Sequence, residues 1–519
     1  MITVHTKYGI LEGERNFGYS VFRGIPYAAA PTGKRRFAPA GPPEAWNGTR
    51  KAVQFGPPPV QMSTGEFSIL PVPLRSSRED CLFANVSTPA PLVEDSSGEH
   101  PDSSAHLPVY LFLHGGGFDT GGSNLPLYSG KSFVQKGIVY VSVNYRLGVF
   151  GCLELEALEN EHPSSGGYSI TDVIQAVRWI HENIEQFGGD PENVTIGGES
   201  AGAGLTSMLM QTDYAGNLFQ RCIMESGSAR GFVPNSRAGQ GSVEWMLHQG
   251  QRLAASFGVK DNKEGLDFLR KKTAEELACR WYFTEDGRRQ SVTSDPLMVG
   301  TVFQQDVIPD PRKQKLGSVD LLYGYNTDDG SMFAGLNAVR SKYEYLMHKT
   351  FPDHAEEIMR RYPADDASAF RVLSDVITTL VFRSPVLAYA DPLADQGRNV
   401  FVYHFDYLTE KLREEKLGVR HIAELYFVFD KFLDFAGGDD VKGRSVAKLM
   451  NAAWCGFIKY GDPNIGIEEE GLDLQGQKWN PYDTVKREVF RIGRETGSER
   501  IERLDELQYF DRLLTEEYR

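Results

Sequence analysis

The sequence predicts an α/β protein with a central, mostly parallel twisted sheet flanked by helices, and two observations carry this prediction. From Pro108 onward, short and nearly continuous apolar segments alternate with helical patterns, which is typical of strands covered on both faces. The predicted strands are residues 109–113, 138–143, 194–196, 222–224, 319–323 and 400–403. In the predicted helix 171–187, apolar side chains recur at spacings of four and three and indicate one buried stripe. The stripe consists of Val173, Val177, Ile180, Ile184 and Phe187.

The chain before Pro108 predicts the edge of the sheet. Residues 2–13 and 19–23 alternate apolar and polar side chains around a turn at 16–18, which indicates an edge hairpin. The Pro- and Gly-rich passage up to Pro59 predicts an irregular surface segment, and residues 79–86 resume strand character. Residues 89–108 have the composition of a solvated connection. At the other end, residues 447–460 and 501–514 predict helices on either side of a strand at 488–492.

Length and composition predict one large decorated domain. The 519 residues are 41% hydrophobic and 24% charged, which is the composition of a globular protein with ample material for a core. We expect a single domain over residues 1–519, with mostly helical insertions at about 232–318 and 332–394 that form a cap and shape a pocket. The net charge of −15 excludes a basic surface for nucleic acid or an anionic membrane and favours a small neutral or cationic ligand. We expect a monomer or a weak homo-oligomer.

The N-terminus and the cysteines predict a cytoplasmic protein. Residues 1–6 lack the charged and apolar regions of a signal peptide, and no segment reaches a membrane-spanning apolar length. The five cysteines are widely spaced, without a C-x-x-C pair or a His/Cys cluster of zinc spacing. We therefore expect free thiols in a reducing compartment, no metal and no cofactor.

A glycine-rich turn predicts a nucleophile at Ser200. Gly198-Glu199-Ser200-Ala201-Gly202 follows an apolar strand and precedes a helix. In such a turn the serine backbone is strained, and glycines avoid collisions with the neighbouring strand and helix. These five residues alone are equally compatible with an ordinary Gly/Ser turn, but the strand before them and the helix after them favour a nucleophile elbow.

A nucleophilic serine requires donors for the negative oxygen that develops on a substrate carbonyl, and backbone N–H groups supply them without side-chain bulk. Residues 114–118, His-Gly-Gly-Gly-Phe, follow the predicted strand 109–113 directly, where a hydrolase sheet carries this loop. A flexible glycine turn is the alternative. We assign the predicted oxyanion hole to the amides of Gly116, Gly117 and Ala201.

The predicted base is His421. In this type of sheet the chain order is serine, acid, histidine, so the base must lie late in the chain. His404 falls inside an alternating strand, and His348 and His354 lie in charged, helix-like surroundings where solvated histidines are expected. His421 occupies a passage from loop to helix after that strand.

The predicted acid is one of two neighbouring aspartates. Asp328 and Asp329 follow the predicted strand 319–323 and lie between Ser200 and His421 in the chain. A carboxylate there would hold the imidazole in its productive tautomer, although Asn, Asp and Gly are also ordinary turn formers. Both roles can hold at once, with one aspartate shaping the turn and the other facing the histidine.

Taken together, these blocks resemble the type B carboxylesterases, relatives of the cholinesterases within the α/β-hydrolase fold, over nearly the whole chain. The likeness rests on residues 22–28, 36–37, 79–86, 114–118, 144–148, 183–191, 198–202, 225–227, 326–330 and 461–464, with Trp179 and His421. The resemblance implies the α/β-hydrolase fold with helical cap insertions, and it implies that the acid is Asp329. It also implies that Glu199 and Ser226 lie close behind the triad, where structural hydrogen bonding is their favoured role.

Two departures from the family pattern bear on the substrate. Secreted relatives close a loop with a disulfide to the cysteine at position 81, but here Pro59 stands where the partner is expected. Cholinesterases bind choline by cation–π contact with a tryptophan in this loop, and residues 59–79 contain none, so we do not expect choline-ester specificity. Val173 stands where relatives carry glutamine, and nothing explains it.

The sequence therefore favours a serine carboxylesterase that hydrolyses small to medium carboxylic esters through an acyl-enzyme, with Ser200, Asp329 and His421 as its triad. Three alternatives stay open. They are a lipase-like hydrolase of longer acyl esters, acyl transfer or elimination at the same oxyanion hole, and a binding protein on the same scaffold.

Overall fold

A computed structural model of the chain describes residues 1–61, 76–95, 98–162, 166–230, 243–284, 311–312, 316–432, 440–474, 476–493 and 495–517. The chain forms two compact units, which we call the first unit (Met1–Arg221 and Ala238–Pro309) and the second unit (Cys222–Arg237 and Asp310–Arg519). The single domain with two cap insertions stays a prediction. Much of the first insertion, at residues 231–242, 285–310 and 313–315, lies outside the described residues.

The first unit contains strands that are antiparallel towards one edge and parallel further in. They are β1 (Ile2–Thr6), β2 (Gly9–Asn16), β3 (Tyr19–Pro26), β4 (Thr49–Lys51), β5 (Phe83–Thr88), β6 (Leu92–Asp95), β7 (Gly98–Pro101), β8 (Leu107–Leu113), β9 (Val139–Val143) and β10 (Gly189–Glu199). The order within this unit is β1-β2-β3-β5-β9-β8-β10, with β4 beside β2. β8 pairs in parallel with both β9 and β10, and Leu113 lies opposite Gly198. The carboxyl ends of β8 and β10 therefore meet, and residues 114–118 and Ser200 follow them directly.

Eight α-helices are described in the first unit: Lys131–Val134, Val149–Cys152, Glu156–Glu159, Tyr168–Asn183, Ala201–Leu209, Val243–Ser256, Lys263–Arg270 and Ala274–Tyr282. The predicted apolar stripe is confirmed, because all five of its side chains are buried. The last turn of this segment, Ile184–Phe187, is a 3-10 helix, and Gly188 ends it at a φ of 78°. Only a residue that tolerates positive φ reverses the chain so tightly here.

The second unit contains a smaller, mainly parallel set of strands. They are β11 (Arg221–Glu225), β12 (Asp320–Asn326), β13 (Val400–Phe405), β14 (Glu488–Ile492) and β15 (Gly497–Arg500), in that order. β13 pairs in parallel with β12 and β14, and β15 adds an antiparallel edge. The helices are Ser331–Ala334, Arg340–Thr350, Ala355–Arg361, Ala369–Ile377, Pro385–Asp395, Glu410–Glu415, Leu425–Val428, Val441–Tyr460, Pro463–Glu469 and Leu504–Glu517. A π-helix at Thr378–Arg383 continues the helix Ala369–Ile377. The predicted mostly parallel sheet flanked by helices is confirmed.

Two features differ from the sequence-based expectations. The predicted solvated connection 89–108 contains the hairpin of β6 and β7. These strands are short and polar, so they lack the apolar alternation that identifies a strand. The stretch Ala369–Asp395 is 27 residues long, and its most apolar 18-residue window has a mean hydropathy of 1.3. By length and composition it could cross a membrane, whereas the sequence analysis expected no such segment. Its most apolar window is 78% buried inside the protein, as in core helices of globular proteins.

Candidate functional site

In the first unit, the turn at Ser200 has the strained geometry that its sequence predicts. Ser200 has a φ of 55° and immediately precedes the helix Ala201–Leu209. A Cβ on Gly198 would lie 2.5 Å from the carbonyl carbon of Gly202, and one on Gly202 would lie 2.0 Å from the carbonyl oxygen of Leu113. The glycines therefore allow β8, β10 and the helix to approach closely, and Ser200 itself is 6% exposed. The close packing holds the serine in a conformation that L-residues rarely adopt.

The glycine loop after β8 lies against this turn. A Cβ on Gly115 would come within 3.1 Å of the Ser200 Cβ and 2.4 Å of a Glu199 carboxylate oxygen. Gly116 and Gly117 have φ values of 117° and 61°, and the Gly116 carbonyl accepts hydrogen bonds from the amides of Asp119 and Thr120. The loop is thus a tight turn whose conformation requires glycine, and it lies next to the predicted nucleophile.

His114 supports the base of this loop and is a neutral side chain. Its ring stacks on Tyr145 with 4.4 Å between centroids, and its Nδ1 lies 2.8 Å from the Gly115 carbonyl oxygen. The Tyr145 hydroxyl donates a 2.6 Å hydrogen bond to the His114 carbonyl. Burial lowers the pKa of His114 to about 4. At neutral pH it therefore adds no positive charge beside the predicted oxyanion loop.

In the second unit, the structure brings together the predicted acid and base. The Nδ1 of His421 lies 2.8 Å from Oδ1 of Asp329, and both side chains are buried. The other carboxylate oxygen of Asp329 accepts a 2.7 Å hydrogen bond from the Asn326 amide at the end of β12. Gly330 permits this turn, since a Cβ there would lie 2.2 Å from the Ser374 carbonyl oxygen. A buried carboxylate on Nδ1 leaves Nε2 of the imidazole as the atom for proton transfer.

Asp328 shapes the turn and does not contact the histidine ring. Its carboxylate accepts a 2.9 Å hydrogen bond from the Val419 amide, and its own amide donates to the Val419 carbonyl at 3.0 Å. These bonds tie the turn that carries Asp329 to the segment that carries His421. Burial raises the pKa of Asp328.

The aromatic rings of Phe333 and Phe382 pack against the ring of His421, with centroids at 5.3 and 4.9 Å. The other late histidines lie elsewhere. His404 is within β13 and bonds Glu499 and Thr327, while His348 is exposed near Glu356. His354 precedes the helix Ala355–Arg361. Of the four candidates, His421 is the one that contacts a buried aspartate at the end of β12.

Glu424 is a member of this cluster that sequence reasoning missed. It is fully buried, and the Asn326 side-chain amide donates to it. Burial, followed by the charge of Asp329, raises the pKa of Glu424 to about 8. Ser226, which sequence analysis placed close behind the triad, is also buried and has a φ of 46°. Glu225 next to it is also buried, and burial raises its pKa well above the ordinary range. Glutamates are common on helices, so the only available signal was an acidic residue three positions after His421 in an otherwise apolar segment.

The two ends of the segment 59–79 are joined by a β-bridge and not by a disulfide. Cys81 is a buried free thiol, as are Cys152, Cys222 and Cys455, whereas Cys279 is partly buried. Pro59 and Arg78 form an isolated bridge, and Arg36 forms an ion pair with Glu79. Arg36 also donates to the carbonyl of Lys272 at 2.6 Å, so its guanidinium joins two segments. Most of the segment that lacks a tryptophan, residues 62–75, lies outside the described residues.

Within the described ranges, no group of three or more His, Cys, Asp and Glu residues could hold a metal ion.

Comparison with known proteins identifies the family of the chain. The model of the carboxylesterase family matches residues 1–510. The para-nitrobenzyl esterase of Bacillus subtilis is 29% identical over 515 residues, which cover 95% of each chain. The phenmedipham hydrolase of Pseudarthrobacter oxydans is 31% identical and is matched over 88% of this chain and 90% of its own length. The crystal structure of a carboxylesterase from Geobacillus stearothermophilus gives a TM-score of 0.79 at 30% identity, covering 98% of this chain and all of that one.

The fold is that of an α/β-hydrolase, and the similar proteins include an esterase and a carboxylesterase. The chain belongs to the carboxylesterase family and is a carboxylic ester hydrolase. The predicted resemblance and fold class are both confirmed. The roles of individual side chains stay predictions.

Proposed function

We propose that this hydrolase is a serine carboxylesterase that acts on small to medium carboxylic esters through an acyl-enzyme intermediate. The observation that carries the proposal is the buried hydrogen bond between His421 Nδ1 and Asp329 Oδ1. A buried acid–base pair of this kind activates a serine hydroxyl, and Ser200 lies on a strained turn beside a glycine loop.

In the proposed reaction, Ser200 Oγ attacks the acyl carbon while His421 takes the hydroxyl proton. The C–O bond to the alcohol then breaks, and His421 returns the proton to the leaving oxygen, so that an acyl-serine and a free alcohol result. Water attacks the acyl carbon with His421 again as base, which releases the carboxylic acid and restores Ser200. Asp329 orients the imidazole and stabilises its positive charge. The amides of Gly116, Gly117 and Ala201 stabilise the oxyanion at both stages.

Two observations bear on the substrate range. Relatives named for para-nitrobenzyl esters and for phenmedipham favour compact esters over long-chain lipids. The missing tryptophan in residues 59–79 argues against choline esters. We further propose a cytoplasmic monomer or weak homo-oligomer that needs no cofactor. The free thiols Cys81, Cys152, Cys222, Cys279 and Cys455 are compatible with a reducing compartment.

Replacement of Ser200 tests the proposal directly. Ser200→Ala should lower turnover of a p-nitrophenyl ester by about 10⁴- to 10⁶-fold. Ser207→Ala is the matched control, because Ser207 is buried on the same helix and its hydroxyl donates to the Gly204 carbonyl of that helix at 2.7 Å. A fluorophosphonate probe should label the wild type and the control variant but not Ser200→Ala. Near-normal hydrolysis by Ser200→Ala would refute the mechanism.

A panel of esters separates the remaining alternatives. We expect p-nitrophenyl acetate and butyrate to be hydrolysed with higher kcat/KM than the palmitate ester, and acetylthiocholine to be a poor substrate. The reverse order of chain lengths would indicate a lipase. Mass analysis of the products should find the free acid, whereas transfer of the acyl group to an added alcohol in preference to water would indicate an acyltransferase.

A further inference from the structure

A cavity of about 460 Å³ lies within the second unit, and the hydrolytic chemistry does not use it. Its wall includes Thr327, Asp328 and Ser331 from the turn around Asp329, and Lys416 and Gly418 from the segment before His421. The remaining wall comes from the helix Ala369–Ile377, the π-helix, Leu417, and the two residues Glu502 and Arg503 that precede the last helix. A volume of several hundred Å³ is the usual size of a site for a small organic molecule.

Two buried polar side chains in this wall have hydrogen-bonding capacity that the described residues do not use. The Oγ of Ser331, which is 2% exposed, has no hydrogen-bond partner there. Arg383 is 9% exposed; its Nη2 donates to the Glu502 carbonyl at 3.1 Å, while its Nε has no partner in the described part of the chain. Its guanidinium lies over the Tyr325 ring at 5.3 Å. Buried donors of this kind are usually satisfied in native proteins, so their presence in a cavity wall indicates a ligand.

The charges of the wall favour an anion. Arg503 forms ion pairs with Asp375 in the wall and with Glu506 outside it. Three further cations line the cavity, namely Arg371, Arg383 and Lys416, and none of them forms an ion pair with a carboxylate among the described residues. The other acidic groups of the wall are Asp328, which accepts the Val419 amide, and the exposed Glu502. The wall thus carries four cations and three carboxylates, an excess of one positive charge in a chain whose net charge is −15.

The apolar part of the wall favours an organic anion over an inorganic one. Phe370 and Leu417 are half-buried apolar side chains in the same wall. Inorganic phosphate would fill only part of the cavity and would leave these apolar surfaces wet. A carboxylate with an apolar body matches both the guanidinium and hydroxyl donors and the apolar patch.

We propose that this cavity binds a small organic carboxylate and that its occupancy alters turnover. Coupling follows from chain continuity, because Ser331 lies two residues after Asp329 and Gly418 lies three residues before His421. The hydrogen bonds between Asp328 and Val419 join these two segments behind the acid–base pair. A ligand that contacts both segments biases the positions of both side chains. The coupling rests on the proposed function, whereas binding does not.

Calorimetric titration with benzoate tests the binding site. We expect wild-type protein to bind benzoate and to bind its neutral analogue benzamide at least about tenfold more weakly, because the carboxylate charge is lost. The double variant Arg371→Gln/Lys416→Gln should weaken benzoate binding about tenfold or more. Both substituted positions are exposed, so we expect the variant to fold. Ser331→Ala should weaken binding as well. The matched control Lys411→Gln/Arg413→Gln removes two positive charges from exposed positions outside the cavity wall and should bind as the wild type does.

Equal benzoate affinity in the wild type and in Arg371→Gln/Lys416→Gln would overturn the site, as would equal affinity for benzoate and inorganic phosphate. Hydrolysis of p-nitrophenyl butyrate with and without benzoate tests the coupling, each variant being compared with its own rate without benzoate. We expect kcat to change at least twofold in the wild type and not in Arg371→Gln/Lys416→Gln. A change confined to KM would indicate that benzoate competes with the ester for the site at Ser200, and it would overturn the coupling. Absence of hydrolysis without benzoate would refute the proposed function and leave the calorimetric result interpretable.

Discussion

The two turns that carry the predicted triad are built on different physical principles. The Ser200 turn is determined by the backbone, since Gly115, Gly198 and Gly202 have no room for a Cβ and the serine is held at a φ of 55°. The Asp329 turn is determined mainly by polar side chains, with Asp328, Asp329 and Glu424 each hydrogen-bonded to neighbouring backbone or amide groups. The first turn therefore tolerates no added volume, whereas the second is sensitive to charge and protonation.

This difference predicts which substitutions matter in each turn. In the Ser200 turn, adding one methyl group should be more damaging than changing a nearby charge. In the Asp329 turn, an isosteric change that removes a charge should be damaging only where that charge faces His421. Four sets of variants test the comparison, in decreasing order of expected effect.

The two neighbouring aspartates should differ most. Asp329→Asn should lower kcat by about 10⁴-fold, because an amide no longer stabilises the imidazolium or enforces its tautomer. Asp328→Asn should stay within about tenfold of the wild type, since an amide oxygen still accepts the Val419 N–H. Steady-state hydrolysis of p-nitrophenyl butyrate by the two variants measures the contrast. Similar losses in both would mean that the carboxylates act as one network and that the separation of their roles is wrong.

Gly202→Ala should have the next largest effect. Its methyl group would lie 2.0 Å from the Leu113 carbonyl oxygen, so the helix or β8 must move. A displacement of Ser200 by about 1 Å is expected to lower kcat by about 10²-fold. The apparent midpoint of thermal unfolding should fall by several degrees. Gly41→Ala is the control, because its Cβ would meet nothing within 4 Å and its φ is not positive. A Gly202→Ala variant with the kcat and thermal midpoint of the Gly41→Ala control would contradict backbone control of this turn.

Glu424→Gln should change the pH dependence of stability. The pKa of Glu424 is raised to about 8 in the folded protein from an ordinary value of 4.5, so the folded state holds its proton more tightly than the unfolded state. Its contribution to stability is complete below pH 4.5 and is lost as pH rises towards 8, by on the order of 1 kcal/mol per pH unit. The thermal midpoint of the wild type should therefore fall relative to that of Glu424→Gln between pH 5 and 8.

Glu414→Gln, at an exposed helical position, serves as the control for Glu424→Gln and should follow the wild type across this range. Parallel midpoint curves for the wild type and Glu424→Gln would show that Glu424 is already ionised at pH 5.

The contrast between the turns also explains how much could be predicted from the sequence. The Ser200 turn was predictable because its glycines are required by local geometry and are adjacent in the chain. The spacing of residues could not separate Asp328 from Asp329, since both follow β12 and only the partner across the fold distinguishes them. Glu424 was missed because its importance comes from burial next to Asp329. Asp329 lies 95 positions earlier in the chain, so this proximity arises only once the chain has folded.

Among the regular elements, long apolar patterns were predicted well and short or polar ones were not. The strand at 488–492 has the predicted bounds, and the helix Tyr168–Asn183 has the predicted buried face. β10 begins at Gly189, five residues before the predicted strand, because the Gly-Asp-Pro segment that ends the preceding helix is also the start of the strand. A register shift between Gly189 and Val194 accommodates this polar segment, and the apolar pattern starts only after it.

Gly117→Ala should have the smallest effect of the series and separates conformation from volume within one loop. A Cβ at this position would meet nothing within 4 Å, so the cost comes only from the φ of 61° and should be about 1–2 kcal/mol. Gly258→Ala is the matched control, with a φ of 71° and equally open space outside the predicted site. The thermal midpoints of both variants should fall by a similar amount, a few degrees. Only Gly117→Ala should also lose activity, by up to about tenfold, because the amide of Gly117 is a predicted oxyanion donor. Full kcat in Gly117→Ala would show that the loop and its amide keep their positions at a positive φ with a side chain present.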